Sequence, residues 1–232
     1  MADLTYRTAL LLGKALIRIQ RYNLDIVGAE HIPATGPVVI AMNHVSYLDF
    51  AFGALPAYFA RRRFTRFMAK ESIFRNRWAG PAMRAMQHIP VDRTAGAQSF
   101  KDALAYLKRG EIVGVFPEAT MSRTFDIKEL KSGSVRMAQA AGAPVIPMAL
   151  FGGQRIFGYG GKDLTKGRTI AITVGEPWWP ERSLSSDAGS AELTVKLRAL
   201  LDETVARYPA PKSDEDAWWL PRRLGGTAPE QA

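Results

Sequence analysis

The segment Asn43-His44-Val45-Ser46-Tyr47-Leu48-Asp49 follows the apolar run 38–42 without a break. It holds the two residue types that general-base chemistry most often pairs: an imidazole that changes charge near neutral pH and a carboxylate that can orient it. On one continuous α-helix, residues five apart differ by about 140° and face away from each other, so His44 and Asp49 could not meet. They meet if the helix starts between them. Ser46 with Asp49 three residues later matches the S-x-x-D capping pattern, which predicts a helix capped by Ser46 and His44 on the loop before it. The same residues also suit a plainer arrangement, in which Asp49 only caps the helix and His44 is a hydrogen-bonded polar residue at a strand end.

Two further clusters close apolar runs in a similar way. Gln87-His88-Ile89-Pro90-Val91-Asp92-Arg93 ends on an acid–base pair, and Val115-Phe116-Pro117-Glu118-Ala119-Thr120-Met121-Ser122-Arg123 runs into small and polar residues, with Lys128, Lys131 and Gly133 beyond. In an α/β sheet the carboxyl ends of parallel strands line the ligand crevice, so His44, Arg93 and Glu118 are expected to converge. The chain has no Gly-x-Ser-x-Gly elbow and no cysteine, so the expected nucleophile is a hydroxyl of the substrate. His31 and His88 read as structural.

The elements that must position these residues follow from patterning. Short apolar runs at 38–42, 67–69, 89–91, 112–116, 145–151 and 169–174 alternate with helical stretches. Of the latter, 98–108 puts Phe100, Leu104 and Leu107 on one face and stops before Gly110, and 135–141 stops at Gly142 with Pro144 beyond. Such alternation predicts an α/β fold: a single domain over 25–208 with a largely parallel mixed sheet flanked by helices. Residues 1–24 form an amphipathic N-terminal helical segment, too interrupted by Arg7, Lys14, Arg18 and Arg21 to span a membrane and without a small-residue cleavage site. It either packs on the core or lies in a membrane interface, with its cations on one side and Leu11, Leu12, Leu16 and Ile17 on the other. Residues 209–232 carry Trp218, Trp219 and Leu220 among Pro, Gly and charge, which predicts an extended strap docked through its indoles on the domain or on a membrane.

Composition narrows the functional classes. With 232 residues, 47% of them hydrophobic, the chain can bury a full core, and disorder is excluded as its main state. Lys and Arg number 31 against 22 Asp and Glu, a formal charge of +9, which favours an anionic partner: nucleic acid, phosphorylated metabolite or lipid headgroup. The absence of cysteine excludes a disulfide scaffold, and three histidines make a multi-histidine metal centre an unexpected reading.

Four stretches carry a resemblance. NHVSYLD, IPVDR, FPEATMSR and VIPMA resemble, in order, the N-H-x-x-x-x-D, D-R, F-P-E-G-T-R and V-P-V-A blocks of the PlsC-type glycerolipid acyltransferases, over about 38–151. The resemblance implies transfer of a fatty acyl group from a thioester, acyl-CoA or acyl carrier protein, to a hydroxyl of a glycerophosphate or lysophospholipid acceptor, such as 1-acyl-glycerol-3-phosphate. It implies His44 as the base and Asp49 as its orienter, with no metal and no cofactor beyond the donor. Lys70, Arg93 and Arg123 would hold acceptor phosphate, with Glu118, Ala119 and Thr120 on the acceptor side and Glu118 holding a hydroxyl or positioning a cation. It also implies a peripheral or monotopic protein on the cytoplasmic face of an anionic membrane, with no nucleic acid partner. The segment 61–67, with Phe74, Arg75, Arg77 and Trp78, then reads as a face for anionic lipid. The chain departs from the family where Ala119 replaces a glycine and Met121 an arginine, the next arginine being Arg123. Other readings are a different lysophospholipid or glycolipid acceptor, a thioester hydrolase, or a basic membrane- or nucleic-acid-binding module without catalysis.

Overall fold

A computed structural model of the chain describes residues 2–92 and 96–230. Aliphatic and β-branched runs become strands and longer 3.6-periodic stretches become helices. Their order is α1 (Ala2–Ile19), β1 (Asn23–Val27), β2 (Val38–Met42), α2 (Asp49–Gly53), α3 (Leu55–Arg61), β3 (Thr65–Lys70), α4 (Glu71–Arg75), α5 (Ala79–Ala85), β4 (Ile89–Val91), α6 (Gly96–Lys108), β5 (Ile112–Val115), α7 (Gly133–Ala141), β6 (Val145–Phe151), β7 (Phe157–Gly158), β8 (Gly161–Lys162), β9 (Thr169–Val174) and α8 (Ser186–Arg207).

Seven strands form one sheet in the order β1-β9-β6-β2-β5-β3-β4. β6, β2, β5, β3 and β4 run parallel, while β9 is antiparallel to β6 and parallel to β1. The central strand β2 is buried along its whole length, which is why its sequence is continuously apolar rather than alternating. One face of the sheet is covered by α6, α7 and α8, with Leu107, Val135, Leu193 and Leu197 in that layer, and the other by α1, α2 and α3, with Leu10, Phe52 and Leu55. Since the register sets Val38 and Thr65 both opposite Ile112, the carboxyl ends of β2, β5 and β3 emerge along one edge.

α1 has two apolar sides. At about 100° per residue, Tyr6, Leu10 and Ile17 share the side that packs on the core, while Leu4, Leu11, Leu12, Leu16 and Ile19 share another that is 53–69% exposed. Arg7, Lys14 and Arg18 lie between the two. Ile17 therefore faces the core, not the outer row with Leu11, Leu12 and Leu16 where it was expected. The Tyr6 hydroxyl donates to the Thr65 carbonyl at 2.9 Å, tying α1 to β3. Among the described residues no helix is long and apolar enough to cross a membrane.

The basic run after α3 is also placed differently from expectation. Arg61 donates to the carbonyls of Ile32 and Glu30, Arg63 to those of Pro33, Gly36 and Gly110, and Arg66 to the Met86 carbonyl and the Glu111 carboxylate. A guanidinium has five donors in a fixed fork and can satisfy several loop carbonyls at once. Arg61, Arg63 and Arg66 thus staple the fold, while Arg62, Arg75, Arg77 and Trp78 stay exposed.

After α8 the chain folds back through two 3-10 turns, Glu215–Trp219 and Arg222–Leu224, so the strap is coiled rather than extended. Trp219 is fully buried beside Phe151 and Tyr208, with the Arg155 guanidinium 4.3 Å from its ring centroid.

Candidate active site

β2 ends in a side chain that continues the ladder. Asn43 Nδ2 donates to the Leu150 carbonyl at 2.9 Å and its Oδ1 accepts from Leu150 N–H at 2.7 Å, reproducing a backbone pair with β6 as the main chain turns out of the sheet. His44, Val45 and Ser46 form that turn. Asp49 Oδ2 gathers it, accepting from His44 Nδ1 at 2.9 Å and from the N–H groups of Val45 and Ser46, each at 2.7 Å. As a carboxylate Asp49 can only accept, so the imidazole proton sits on Nδ1 and Nε2 presents its lone pair. Among the described residues nothing bonds Nε2. The imidazole is 24% exposed and the Asp49 carboxylate 1%, and the ring stacks on Phe116 at 4.3 Å between centroids.

The helix does begin between His44 and Asp49, but Ser46 does not cap it. α2 starts at Asp49 with Leu48 at the cap. The Ser46 hydroxyl donates to the Phe157 carbonyl at 2.7 Å and accepts from Leu48 N–H at 3.1 Å. The pull of β7 on this hydroxyl has moved the helix start, leaving only the Asp49 half of the reciprocal cap. Gly153 lies against this turn, where a Cβ would meet Ser46 Cβ at 2.9 Å and Asp49 Oδ1 at 3.3 Å.

β5 delivers Glu118 behind His44. Its Oε1 accepts from His44 N–H at 3.1 Å and its Oε2 from Lys128 N–H at 3.3 Å, while the His44 carbonyl accepts from Ser122 N–H at 2.7 Å. Burial pushes the Glu118 carboxyl up to about 8 against the opposing pull of the two N–H bonds and of Lys128, with Asp49 adding to the rise. Each oxygen accepts one backbone N–H, so Glu118 ties the loop that carries His44 to the segment of Lys128.

The remaining residues of the third cluster diverge. Ala119 is exposed and sits at φ 60°, in the left-handed region, where the resemblance expects glycine. An L side chain there costs about 1–2 kcal/mol, more than the about 0.4–1 kcal/mol that a glycine loses to unfolded-chain entropy. Ala119→Gly is therefore expected to stabilise the protein by about 0.5–1 kcal/mol, read as a higher urea midpoint at unchanged slope; a lower midpoint would refute the strain. The Thr120 hydroxyl accepts from Lys128 Nζ. Met121 is buried, while Arg123 is exposed with its guanidinium over the Tyr159 ring at 4.9 Å.

Lys70 ends β3 in register with Val91 of β4, its side chain exposed; Arg93 lies outside the described residues. The structure thus brings His44, Asp49 and Glu118 into one hydrogen-bonded cluster, with Lys70 at the end of a nearby strand and Arg123 held on Tyr159. Asn43, Phe116 and Lys128 belong to the cluster too and were not read as site residues. For Lys128 the available signal was a cation in the polar stretch after Glu118, shared with Arg123 and Lys131.

An apolar groove of about 560 Å³ lies beside this cluster. Leu48 and Phe50, the neighbours of Asp49, form part of its wall, and Tyr6, Leu10 and Leu16 of α1 form another part. His88 also lines it, lowered to about 4 by burial and by Arg66, its Nδ1 accepting from Phe67 N–H at 3.1 Å.

The Acyltransferase family profile matches residues 23–151. The chain is 35% identical over 161 residues to 1-acyl-sn-glycerol-3-phosphate acyltransferase of Bacillus subtilis (strain 168), covering 68% of this chain and 74% of that protein. It is 28% identical over 161 residues to the protein of the same name from Borreliella burgdorferi, covering 65% of this chain and 62% of that one. The solved structure of the 1-acyl-sn-glycerophosphate (LPA) acyltransferase PlsC from Thermotoga maritima shares the fold, with a TM-score of 0.72 at 21% identity over 88% of this chain and 81% of that one. The profile match runs from the start of β1 to the end of β6 and includes every member of the hydrogen-bonded cluster around His44, and the chain belongs to the acyltransferase family.

Proposed function

We propose that the protein moves a fatty acyl group from an acyl thioester, on coenzyme A or acyl carrier protein, to the free hydroxyl of 1-acyl-glycerol-3-phosphate, forming phosphatidic acid. The observation that carries this reading is an imidazole whose Nδ1–H is fixed on a buried carboxylate and whose Nε2 is open, with the chain neighbours of that carboxylate, Leu48 and Phe50, walling an apolar groove. The names of the Bacillus and Borreliella relatives support the choice of acceptor.

In this mechanism Nε2 of His44 removes the acceptor hydroxyl proton as the oxygen bonds to the thioester carbonyl carbon. Asp49 keeps the ring in place and supports the imidazolium. When the C–S bond breaks, the imidazolium returns the proton to the departing thiolate. Thiolate leaves readily, so deprotonating the acceptor and placing it against the carbonyl are the main tasks. Lys70, Arg93 and Arg123 are the cations for the acceptor phosphate. The contact of exposed Arg123 with Tyr159 has a strength of about 0.5–1 kcal/mol, small enough for a phosphate to displace it.

The test is a transfer assay with labelled acyl-CoA and, separately, labelled acyl carrier protein. The acceptors are glycerol-3-phosphate, lysophosphatidic acid, other lysophospholipids and acylated glycolipids. Label is expected in phosphatidic acid from lysophosphatidic acid. Label in free fatty acid alone, whatever the acceptor, would establish a hydrolase.

The outer row of α1 supports a peripheral membrane location. Five aliphatic side chains exposed beside Arg7 and Arg18 suit an interface with anionic headgroups. The Leu11→Asp, Leu12→Asp double variant is expected to bind anionic vesicles at least about tenfold more weakly, since each change removes an inserted side chain worth about 1.5–3 kcal/mol. Salt should weaken wild-type binding without abolishing it, because only the charge contribution is screened. Unchanged sedimentation of the double variant with vesicles would exclude α1 as the contact.

A further inference from the structure

The last described residues of the chain lie beyond the matched span and yet pack against the catalytic loop from behind. Ala228 is fully buried in a small cluster with Val45 and Phe125, on which Trp218 also packs, its ring 6.1 Å from Phe125. Val45 is the residue after His44, and its N–H is one of the donors that fix Asp49 Oδ2. Ala228 is held in place by its own N–H on the Leu220 carbonyl at 3.2 Å and by Arg222 Nε on its carbonyl at 2.8 Å. A second contact runs through Trp219, whose carbonyl accepts from Gln154 Nε2 at 3.2 Å while Gln154 Oε1 accepts from Gly152 N–H at 2.8 Å. Between these two lies Gly153, in contact with Ser46 and Asp49. The strap therefore packs on one side of the turn that joins His44 to Asp49 and, through Gln154, anchors the segment against its other side.

We propose that this strap is a positioning element for the His44–Asp49 pair: Trp218 and Ala228 hold Val45 so that its N–H and the His44 imidazole converge on one carboxylate oxygen. The inference rests on the catalytic reading of His44. Three donors must reach the same carboxylate oxygen at once, and a loop free to shift by a fraction of an ångström would satisfy them only part of the time. A wall of packed side chains restricts that shift because packed interiors have little room to adjust. Such an element acts on the chemical step and leaves affinity for the acyl chain alone, since none of its residues lines the groove.

The experiment uses the 232-residue chain with Trp218→Ala, Trp218→Phe and Ala228→Gly. It reads kcat and KM with both substrates, the thermal midpoint, and the His44 Nδ1–H resonance by proton–nitrogen NMR. His31 and His88 are the other histidines in the sequence and serve as internal references. Trp218→Ala is expected to lower kcat about tenfold and Ala228→Gly about threefold, with each KM within twofold. The His44 signal should broaden in both while His31 and His88 stay unchanged, and Trp218→Phe should restore both kcat and the signal. An unaltered His44 resonance in Trp218→Ala overturns the proposal, as does one unaltered in Ala228→Gly if Trp218→Ala fails to fold. If the wild-type chain shows no transfer to lysophosphatidic acid, the proposed function fails, yet the resonance still reports whether the strap orders the loop.

Discussion

Replacing His44 by alanine is expected to lower acyl transfer by about a thousandfold, within the 10²–10⁴ range of a lost general base, while the circular dichroism and thermal midpoint stay near wild type. The imidazole is partly exposed and its ring rests on Phe116, and after its removal the buried Asp49 carboxylate still accepts from the N–H groups of Val45 and Ser46. Asp49→Asn tests the other half of the pair. The carboxylate oxygen accepts from three donors at 2.7–2.9 Å, and an amide cannot accept at both of its ends. If its oxygen serves Val45 and Ser46, it can still hold Nδ1–H, but without the charge that supports the imidazolium. If the NH₂ group faces His44 instead, the ring must take the opposite tautomer and place its proton on Nε2, where the acceptor hydroxyl needs a lone pair. Either outcome lowers turnover, by at least about a hundredfold. Single-turnover rates at saturating substrate are the measure; His44→Ala turnover within tenfold of wild type would place the base elsewhere.

Glu118 carries the second large effect, and here the readout is stability. Glu118→Ala leaves the partly buried N–H groups of His44 and Lys128 without their partner, at up to about 1–3 kcal/mol each. That is a large share of a domain's usual margin of about 5–15 kcal/mol. Glu118→Gln keeps the shape and one acceptor, and it separates charge from packing. The folded-state carboxyl is pushed up to about 8 from 4.5, mainly by burial, so between those values the folded chain binds more protons than the unfolded one. By linkage, its contribution is fully present below about pH 4.5 and is lost as pH rises toward 8, by roughly 5 kcal/mol at most at 1.36 kcal/mol per pKa unit. The Gln variant has no such dependence. Urea midpoints from pH 5 to 8 should therefore shift in its favour relative to wild type as pH rises. A constant difference across that range would show that Glu118 titrates normally.

The strands that could be read from the sequence are those whose burial on both sheet faces makes them continuously apolar, above all β2 and β6. β1 escaped notice because an edge strand of five residues with Asn23 and Asp25 in it carries little hydrophobic signal. α8 was missed for a related reason: its buried Leu193, Leu197 and Leu201 form a narrow stripe in a helix that is otherwise polar. At the site, the spacing of His44 and Asp49 carried their pairing because local geometry alone decides whether two side chains five apart can meet. Glu118 illustrates the limit. Its proximity to His44 depends on β2 and β5 being neighbours, and its partners are backbone groups, which no side-chain motif encodes. The structural part of Arg61, Arg63 and Arg66 was hidden for the same reason, since the carbonyls they bind come from segments remote in sequence.

The helix α1 is at once a wall of the groove and a surface with an exposed aliphatic row, and Leu16 belongs to both. That shared wall bears on how a lipid substrate travels. Drawing a sixteen-carbon chain out of a bilayer through water exposes its methylenes at about 0.8 kcal/mol each, a barrier of roughly 13 kcal/mol. A chain sliding sideways along α1 exchanges one hydrocarbon contact for another and avoids most of that barrier. Turnover on lysophosphatidic acid should then follow its mole fraction in the vesicle surface rather than its bulk concentration, and inert lipid added at constant substrate should slow the enzyme by dilution within the plane.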